Sequence, residues 1–310
     1  MSNYTAIIPA AGKGVRLLPY TRYCAKTMLP VAGRPVIAHI LEQIEQCGIK
    51  KVVFIVGYQK ESFIGFIQKN YPHLEVEFVE QTQLKGLGHA IYLAKEVVTG
   101  PCLIVLGDTI IEGDLKQLLQ NGKNTVGVKE VSDPHRFGIV EMSGGKIKGF
   151  EEKPEKPKSN LALIGAYAFE DSSQLFTALE KLILSGKTVK NEIQLTDALS
   201  ILLQEQTEIV PVPLKNWFDC GTMEVMLQTN KTLIERKPQI PKKFLKNNRI
   251  VAPCWISEEA EIKNCVLGPY LSVGKGAVLN DCHLQDAIVF PDTKLQQKTA
   301  SHTFFIKEEN

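Results

Sequence analysis

The chain has 310 residues, 44% of them apolar and 23% charged, and its 36 Lys and Arg against 34 Asp and Glu leave a formal charge of +2. Without a basic block it lacks the footprint of nucleic-acid-binding proteins, so we expect no nucleic-acid partner. No apolar run approaches the roughly 18 to 20 residues of a spanning helix, and no signal-peptide pattern follows Met1. We therefore expect a cytoplasmic protein with no membrane partner. The seven cysteines contain no C-x-x-C pair, which predicts reduced thiols.

Short apolar runs alternate with helix-periodic segments over the first 110 residues. The runs lie at residues 6–8, 52–56, 76–79 and 102–106, and a helical period covers residues 36–44. Strands that are apolar at consecutive positions are typical of sheets buried on both faces. The pattern predicts a doubly wound, mostly parallel sheet, in which ligands bind beyond the carboxyl ends of the strands.

From about residue 124 the pattern changes to an α+β insertion. Strands are predicted at residues 125–131, 138–142, 146–152, 161–169 and 208–213, and helices at residues 172–184, 195–204 and 222 to about 236. The Pro- and Lys-containing segment that begins at residue 237 is typical of a linker. We therefore predict one domain over residues 1–236, a linker over 237–247 and a second domain over 248–310.

The C-terminal region carries aliphatic residues at steps of five or six. These residues are Ile256, Ile262, Leu267, Val273, Leu279, Leu284, Val289 and Leu295. The spacing resembles the hexapeptide repeat of a left-handed parallel β-helix, and eight positions predict between two and three coils. An irregular β tail with chance spacing is the alternative. Because so short a solenoid has open ends, we expect association with another copy in a homo-oligomer.

A glycine-rich segment with two cations follows the first predicted strand. Its glycines let the backbone approach phosphate oxygens closely, and its cations suit an anionic transition state. The residues concerned are Ala10, Ala11, Gly12, Gly14, Arg16 and Lys26. Leu17 replaces the third glycine of a G-x-G-x-x-G motif and no G-K-[ST] ending occurs, so dinucleotide-binding and P-loop interpretations are excluded.

Two polar residues follow predicted strands at the same edge of the sheet. Asp108 ends a buried strand, where a carboxylate suits Mg²⁺; a turn or helix cap is the alternative role. Gln81 carries an amide whose donor and acceptor complement the O4 and N3–H edge of uracil or thymine. The sequence thus favours a pyrimidine nucleotide. We interpret His89 as a packing residue at a helix N-terminus, with no role in proton transfer.

These motifs together resemble the sugar-1-phosphate nucleotidyltransferases over nearly the whole chain. The similarity is greatest to glucose-1-phosphate thymidylyltransferases and to the uridylyltransferases that make UDP-glucose. It implies a Rossmann-like mixed α/β nucleotidyltransferase domain with a small C-terminal left-handed β-helix. Val15 stands where the family usually has Thr, and Ala25 where Pro often precedes the lysine; neither change removes a charge.

The resemblance also implies roles for individual residues. It makes Arg16 and Lys26 catalytic, and it makes Asp108 and Asp219, the latter in a W-x-D-x-G-T segment, the ligands of a Mg²⁺ cofactor. The implied nucleotide contacts are Ala10, Ala11, Gly12, Gly14, Gln81, Gly86 and Asp108. The implied sugar-phosphate contacts are Gly138, Glu152, Lys153 and Leu163.

The implied reaction transfers a nucleotidyl group from dTTP or UTP to a hexose 1-phosphate and releases pyrophosphate. Segments 133–138 and 227–230 resemble the thymidylyltransferases, whereas segment 86–90 resembles the uridylyltransferases. The choice between dTTP and UTP therefore stays open. Glucose is the favoured sugar, with N-acetylglucosamine or a deoxy sugar as alternatives. A catalytically silent regulatory subunit is the competing hypothesis, against which the retained charges argue. Acyl transfer by the β-helix is disfavoured, because fewer than three coils and His283 alone leave little room for an acyl-CoA site.

Overall fold

The computed structural model describes residues 3–119 and 122–307. The strands are β1 (Thr5–Pro9), β2 (Pro30–Val31), β3 (Arg34–Pro35), β4 (Lys51–Val56), β5 (Glu75–Glu80), β6 (Cys102–Val105), β7 (Thr109–Glu112), β8 (Asn124–Glu130), β9 (Gly138–Ser143), β10 (Lys146–Glu152), β11 (Leu161–Phe169), β12 (Ile209–Pro213), β13 (Asn216–Asp219), β14 (Arg249–Ile250), β15 (Cys254–Ile256), β16 (Glu261–Lys263), β17 (Val266–Leu267), β18 (Leu271–Val273), β19 (Val278–Asn280), β20 (His283–Val289), β21 (Lys294–Gln296) and β22 (Thr299–Phe305).

The helices are fewer and mostly longer. They are α1 (Val36–Gln46), α2 (Lys60–Asn70), α3 (Leu87–Tyr92), α4 (Lys116–Leu119), α5 (Ser172–Leu184), α6 (Leu195–Gln204) and α7 (Met223–Arg236). Short 3-10 turns lie at Val15–Leu17, Tyr20–Arg22, Lys26–Met28, Leu93–Glu96, Pro134–Arg136 and Lys242–Phe244. The chain divides into two compact units, which we call the first unit (Met1–Lys13 with Ile40–Trp217) and the second unit (Gly14–His39 with Phe218–Asn310).

The first unit is built on a nine-stranded mixed sheet. Its strands β6, β1, β4 and β5 are parallel neighbours in that order. Strand β4 is buried from Val52 to Val56, as expected for a strand covered on both faces. The predicted parallel sheet is therefore confirmed for these four strands. The strand order changes direction between β6 and β1, because the chain runs from β1 through β4 to β5 on one side and returns to β6 on the other.

The α+β insertion extends the same sheet. Strand β11 runs antiparallel to β6, β8 and β9, β10 pairs with β9, and β12 runs parallel to β8. Helices α5 and α6 have the predicted bounds and bury apolar faces in the core of this unit. Helix α5 begins after Asp171, whose side chain accepts a hydrogen bond from the Ser173 N–H at 2.9 Å.

The second unit contains a stack of short parallel strands. Val266 pairs with His283 and Arg249 with Val266, steps of 17 residues, whereas Val278 pairs with Lys294 at a step of 16. Among the described residues the parallel pairing runs from β14 through β17 and β20 to β22.

The aliphatic residues of the repeat form the core of this stack. Six of the eight are buried, and Ile262 and Leu295 are partly buried against the same core. The small residues two positions earlier, such as Ala260 and Cys265, are buried with them. The hexapeptide spacing therefore predicts the inward positions correctly.

Helix α7 and the segment Gly14–His39 belong to the second unit. Helix α7 starts at a Thr222 cap, whose hydroxyl accepts from the Val225 N–H at 3.4 Å, and packs against β18, β20 and β22. Gly33 lies against the Trp255 ring, where an added Cβ would fall 2.0 Å from a ring carbon. Helix α7 buries Met226, Leu227 and Ile234.

All seven cysteines are free thiols, as predicted. Burial raises the pKa of Cys24 and Cys254 to about 11 and that of Cys102 to about 12, so these sulfurs are protonated near neutral pH. Across residues 3–119 and 122–307, no helix has the length and apolar character needed to span a membrane.

Candidate active site

The loop after β1 lies at the point where the strand order of the first unit changes direction. The Ala10 N–H donates to the Ile55 carbonyl at 2.8 Å, and the Tyr58 N–H donates to the Ala11 carbonyl at 3.3 Å. On the other side, the Gly107 N–H donates to the Pro9 carbonyl at 3.2 Å. The loop thus sits between the carboxyl ends of β4 and β6, the position at which open α/β sheets bind ligands.

Gly12 faces open space at this edge, since an ideal Cβ built on it meets no atom within 4 Å. Asp108 follows β6 three residues after the strand ends and is half-buried. The Thr109 hydroxyl lies 3.4 Å from Asp108 Oδ1. A bulge in β11 supports this turn, because the Gly165 carbonyl accepts from the Leu106 N–H at 2.9 Å. The structure therefore brings together the predicted phosphate-loop and metal-ligand positions of the first unit.

Gln81 extends the same edge, because it directly follows β5 and its N–H donates to the Val56 carbonyl at 2.8 Å. Its side chain is buried, with 6% of its surface exposed. The amide nitrogen Nε2 lies 3.2 Å from the Gly86 carbonyl oxygen and 3.1 Å from His89 Nδ1. We predicted that this amide offers a base both a donor and an acceptor. The structure corrects the prediction of a donor, because both amide hydrogens already have partners within the protein.

Gly86 occupies a position that only glycine fits. Its φ of +96° is disfavoured for other residues, and an ideal Cβ would fall 2.8 Å from the backbone nitrogen of Ile193. The Ile193 N–H donates to the Lys85 carbonyl and the Gly88 N–H donates to the Ile193 carbonyl, both at 2.8 Å. The loop that leads into α3 is therefore fixed against the segment before α6.

The predicted sugar-phosphate residues form a second cluster in the first unit. Gly138 pairs with Glu152 across β9 and β10, and an ideal Cβ on Gly138 would lie 3.2 Å from Glu152 Oε2 and 3.2 Å from Leu163 Cδ1. The Lys153 N–H donates to the Phe137 carbonyl at 3.1 Å, and its Nζ lies 3.1 Å from Glu152 Oε1. All four predicted residues of this cluster are therefore neighbours.

Thr196, near the start of α6, completes the cluster and was not predicted as a site residue. Its hydroxyl donates to Glu152 Oε2 at 3.2 Å, and its side chain is 5% exposed. It lies in the first turn of α6, whose N-cap residue Gln194 makes no side-chain capping hydrogen bond. Its contact with Glu152 joins residues 44 positions apart in the chain, so local spacing could not reveal it.

In the second unit, Gly14 and Lys26 pack together. Gly14 has a φ of +62°, and its carbonyl accepts from the Thr21 hydroxyl at 3.1 Å. An ideal Cβ on Gly14 would lie 3.0 Å from Lys26 Cβ, so glycine makes room for the lysine stem. Arg16 lies in the adjoining 3-10 turn with its side chain exposed. The structure therefore orders the lysine by packing and leaves the arginine at the surface.

Asp219 lies beside the same lysine. An ideal Cβ on Gly221 would fall 2.9 Å from Asp219 Oδ1 and 3.5 Å from Lys26 Nζ. The Gly221 N–H also donates to the Asp219 carbonyl at 2.7 Å. The glycine of the W-x-D-x-G-T segment thus leaves room for a carboxylate and an ammonium at one place in the second unit.

The two departures from the expected motif have different environments. Val15 is 66% exposed, so its side chain makes little contact within the protein. Ala25 is buried and has φ −58° and ψ 146°, values that a proline ring also allows. The backbone before Lys26 therefore keeps the conformation that the expected proline favours.

The chain is similar to known proteins over most of its length. The profile described as nucleotidyl transferase matches residues 5–236. The chain belongs to this nucleotidyl transferase family. It is 36% identical over 259 residues to the bifunctional protein GlmU of Methanocaldococcus jannaschii, covering 83% of this chain and 61% of that one. It is 28% identical to a glucose-1-phosphate thymidylyltransferase of Streptomyces antibioticus, covering 94% and 88%.

Solved structures agree with the family assignment. A putative glucose-1-phosphate thymidylyltransferase from Bacillus anthracis, in complex with a sucrose, matches with a TM-score of 0.67 and 26% identity over 78% of this chain and 99% of that chain. A UDP-glucose pyrophosphorylase complexed with UDP-glucose matches with the same score and identity over 76% and 99%. The resemblance inferred from the motifs is thus confirmed at the level of the nucleotidyl transferase family. The chain spans 61% of the length of the GlmU relative.

Proposed function

We propose that this protein transfers a nucleotidyl group from UTP or dTTP to a hexose 1-phosphate, with glucose 1-phosphate as the favoured acceptor. One observation carries the proposal: the glycine loop after β1, Gln81 after β5 and Asp108 after β6 share one edge of the sheet. Phosphate, base and metal functions are therefore available together. The names of the relatives, which include thymidylyltransferases and a pyrophosphorylase, support the same reaction class.

In the proposed reaction an oxygen of the sugar phosphate attacks the α-phosphorus of the triphosphate, and the bond to pyrophosphate breaks. The sugar phosphate is already ionised at neutral pH, so positioning and charge neutralisation are sufficient and no general base is needed. We assign Arg16 to the departing phosphates, Lys26 to the α-phosphoryl group and Lys153 to the sugar phosphate. Glu152 accepts hydrogen bonds from sugar hydroxyls.

We further propose Asp108 and Asp219 as ligands of a divalent cation, Mg²⁺. Carboxylate oxygens are the donors that Mg²⁺ prefers, and it combines one or two of them with substrate phosphate oxygens. Gly221 carries no Cβ beside Asp219 Oδ1, so no side chain at residue 221 competes with a ligand of this carboxylate. In the part of the chain that the structure describes, no group of three or more His, Cys, Asp or Glu is assembled for a metal. When bound, Mg²⁺ supplies charge neutralisation for the phosphates.

For the C-terminal region we propose a left-handed parallel β-helix that associates with a second copy of the chain. The register steps of 16 and 17 residues, close to three hexapeptides per coil, support a triangular solenoid. We retain residues 1–236 as the nucleotidyltransferase domain and residues 237–247 as the linker. Light scattering of the purified chain measures the association.

The reaction is tested by measuring pyrophosphate release with Mg²⁺. UTP, dTTP, CTP, ATP and GTP are each combined with the 1-phosphates of glucose, galactose, mannose and N-acetylglucosamine. We expect release that requires both a pyrimidine triphosphate and one sugar phosphate, which also identifies the substrates. If folded protein, shown by a cooperative thermal transition, releases no pyrophosphate in any combination, the result would favour the catalytically silent regulatory subunit instead.

Thr196→Val is expected to raise the KM for the sugar phosphate about fivefold with little change in kcat, because the isosteric valine removes one hydrogen bond to Glu152. Steady-state kinetics at saturating nucleotide measure this effect. Ser200→Ala is the matched control, since Ser200 lies one turn along α6 and donates to the Thr196 carbonyl at 2.9 Å. An unchanged KM in Thr196→Val would remove Thr196 from sugar recognition.

A further inference from the structure

The amide of Gln81 is held in one orientation by two neighbours. A carbonyl oxygen only accepts hydrogen bonds, so the contact at 3.2 Å to the Gly86 carbonyl identifies the near side of the amide as its NH2 group. The second amide hydrogen is directed at His89 Nδ1, 3.1 Å away. The oxygen Oε1 therefore lies on the opposite side of the amide, and the side chain offers a ligand an acceptor and no donor.

His89 must be neutral to make this contact. Because Nδ1 accepts a hydrogen bond from the Gln81 amide, the ring proton belongs on Nε2. Partial burial, and then the charge of Lys85, lower the pKa of His89 from its ordinary value, so the neutral form is favoured near pH 7. The ring also lines an open cavity with Lys85, Tyr92 and Ile193, where water can reach it.

We propose that His89 is a positioning residue that sets the base specificity of the nucleotide site through Gln81. The inference rests on the proposed function, in which Gln81 reads the base. An acceptor oxygen pairs with the N3–H of uracil or thymine. It repels the N3 lone pair of cytosine, because two acceptors then face each other without a hydrogen.

The Gly86 carbonyl alone fixes one hydrogen of the amide, and His89 fixes the other. Without an acceptor at residue 89, the buried amide keeps one unpaired N–H and can rotate about its remaining contact. The acceptor oxygen then loses its fixed direction, and the distinction between N3–H and a bare N3 weakens. If His89 only packed against its neighbours, this loss of base discrimination would not be expected, because packing does not depend on where the acceptor atom lies.

Three variants separate the position of the acceptor from the bulk of the ring. His89→Asn places an amide oxygen at the level of Nδ1, whereas His89→Gln places it at the level of Nε2. His89→Leu offers no acceptor. We expect the ratio of kcat/KM for UTP to that for CTP to fall about tenfold in His89→Leu and His89→Gln, chiefly through the KM for UTP, and to stay within about threefold of wild type in His89→Asn.

Equilibrium binding of UTP and CTP without sugar phosphate should show the same order, and thermal melting confirms that each variant is folded. An unchanged ratio in both His89→Leu and His89→Gln, or an equal loss in His89→Asn, would overturn the positioning role while leaving the proposed function intact. Wild-type protein that binds neither UTP nor dTTP would overturn the proposed function and this inference with it.

Discussion

Asp108→Asn and Asp219→Asn are each expected to lower turnover at saturating Mg²⁺ by at least ~10²-fold. Each change replaces a charged oxygen with a neutral amide oxygen of the same shape, so the cation loses attraction without a change in side-chain volume. Neither residue lies in the apolar core, since both are half-buried. Pyrophosphate release measured across a Mg²⁺ titration checks the prediction, and the half-maximal Mg²⁺ concentration should rise in both variants.

Asp281→Asn is the control for a change of charge alone, because Asp281 is an exposed carboxylate that accepts from Asn264 Nδ2 at 3.4 Å. It should leave turnover within about twofold of wild type. Near-normal turnover in either Asp108→Asn or Asp219→Asn would remove that residue from the metal site. A loss in one variant alone would leave a cation held by a single carboxylate.

Lys26→Ala is expected to lower kcat by ~10²- to 10³-fold, because it removes the cation assigned to the α-phosphoryl group, where negative charge develops in the transition state. The structure favours a specific role, since the lysine stem packs against Gly14 and its Nζ lies near Asp219 and the Cβ-free position at Gly221. An ammonium fixed in this way loses little entropy when it meets a phosphate. Single-turnover measurement at saturating substrates separates this effect from weaker binding.

Lys13→Ala tests whether the effect belongs to Lys26 or to the general charge of the segment. Lys13 is exposed and lies between the two glycines of the loop. Its replacement should change kcat by less than about threefold. An equal loss in both variants would show that the summed positive charge, and not a fixed ammonium at residue 26, supports the reaction.

The parts of this protein that depend on local pattern could be predicted from the sequence. Helices α5 and α6 have the predicted bounds because apolar residues recur there at a helical period. The inward positions of the C-terminal strand stack follow from the hexapeptide spacing, since the aliphatic residues of the repeat share one core. The glycines, cations and carboxylates of the motifs carried the resemblance to the sugar-1-phosphate nucleotidyltransferases, and the nucleotidyl transferase profile confirms the family.

Contacts between side chains from distant segments could not be predicted, because they depend on how the chain folds in three dimensions. The grouping of α7 with the C-terminal strand stack results from apolar packing that no period in the chain encodes. The contact between Thr196 and Glu152 joins α6 to the end of β10. The orientation of the Gln81 amide depends on a glycine carbonyl and an imidazole nitrogen whose directions are set by the folded loop. A sequence states which hydrogen-bonding groups a residue has, whereas the fold decides which of them remain for a ligand.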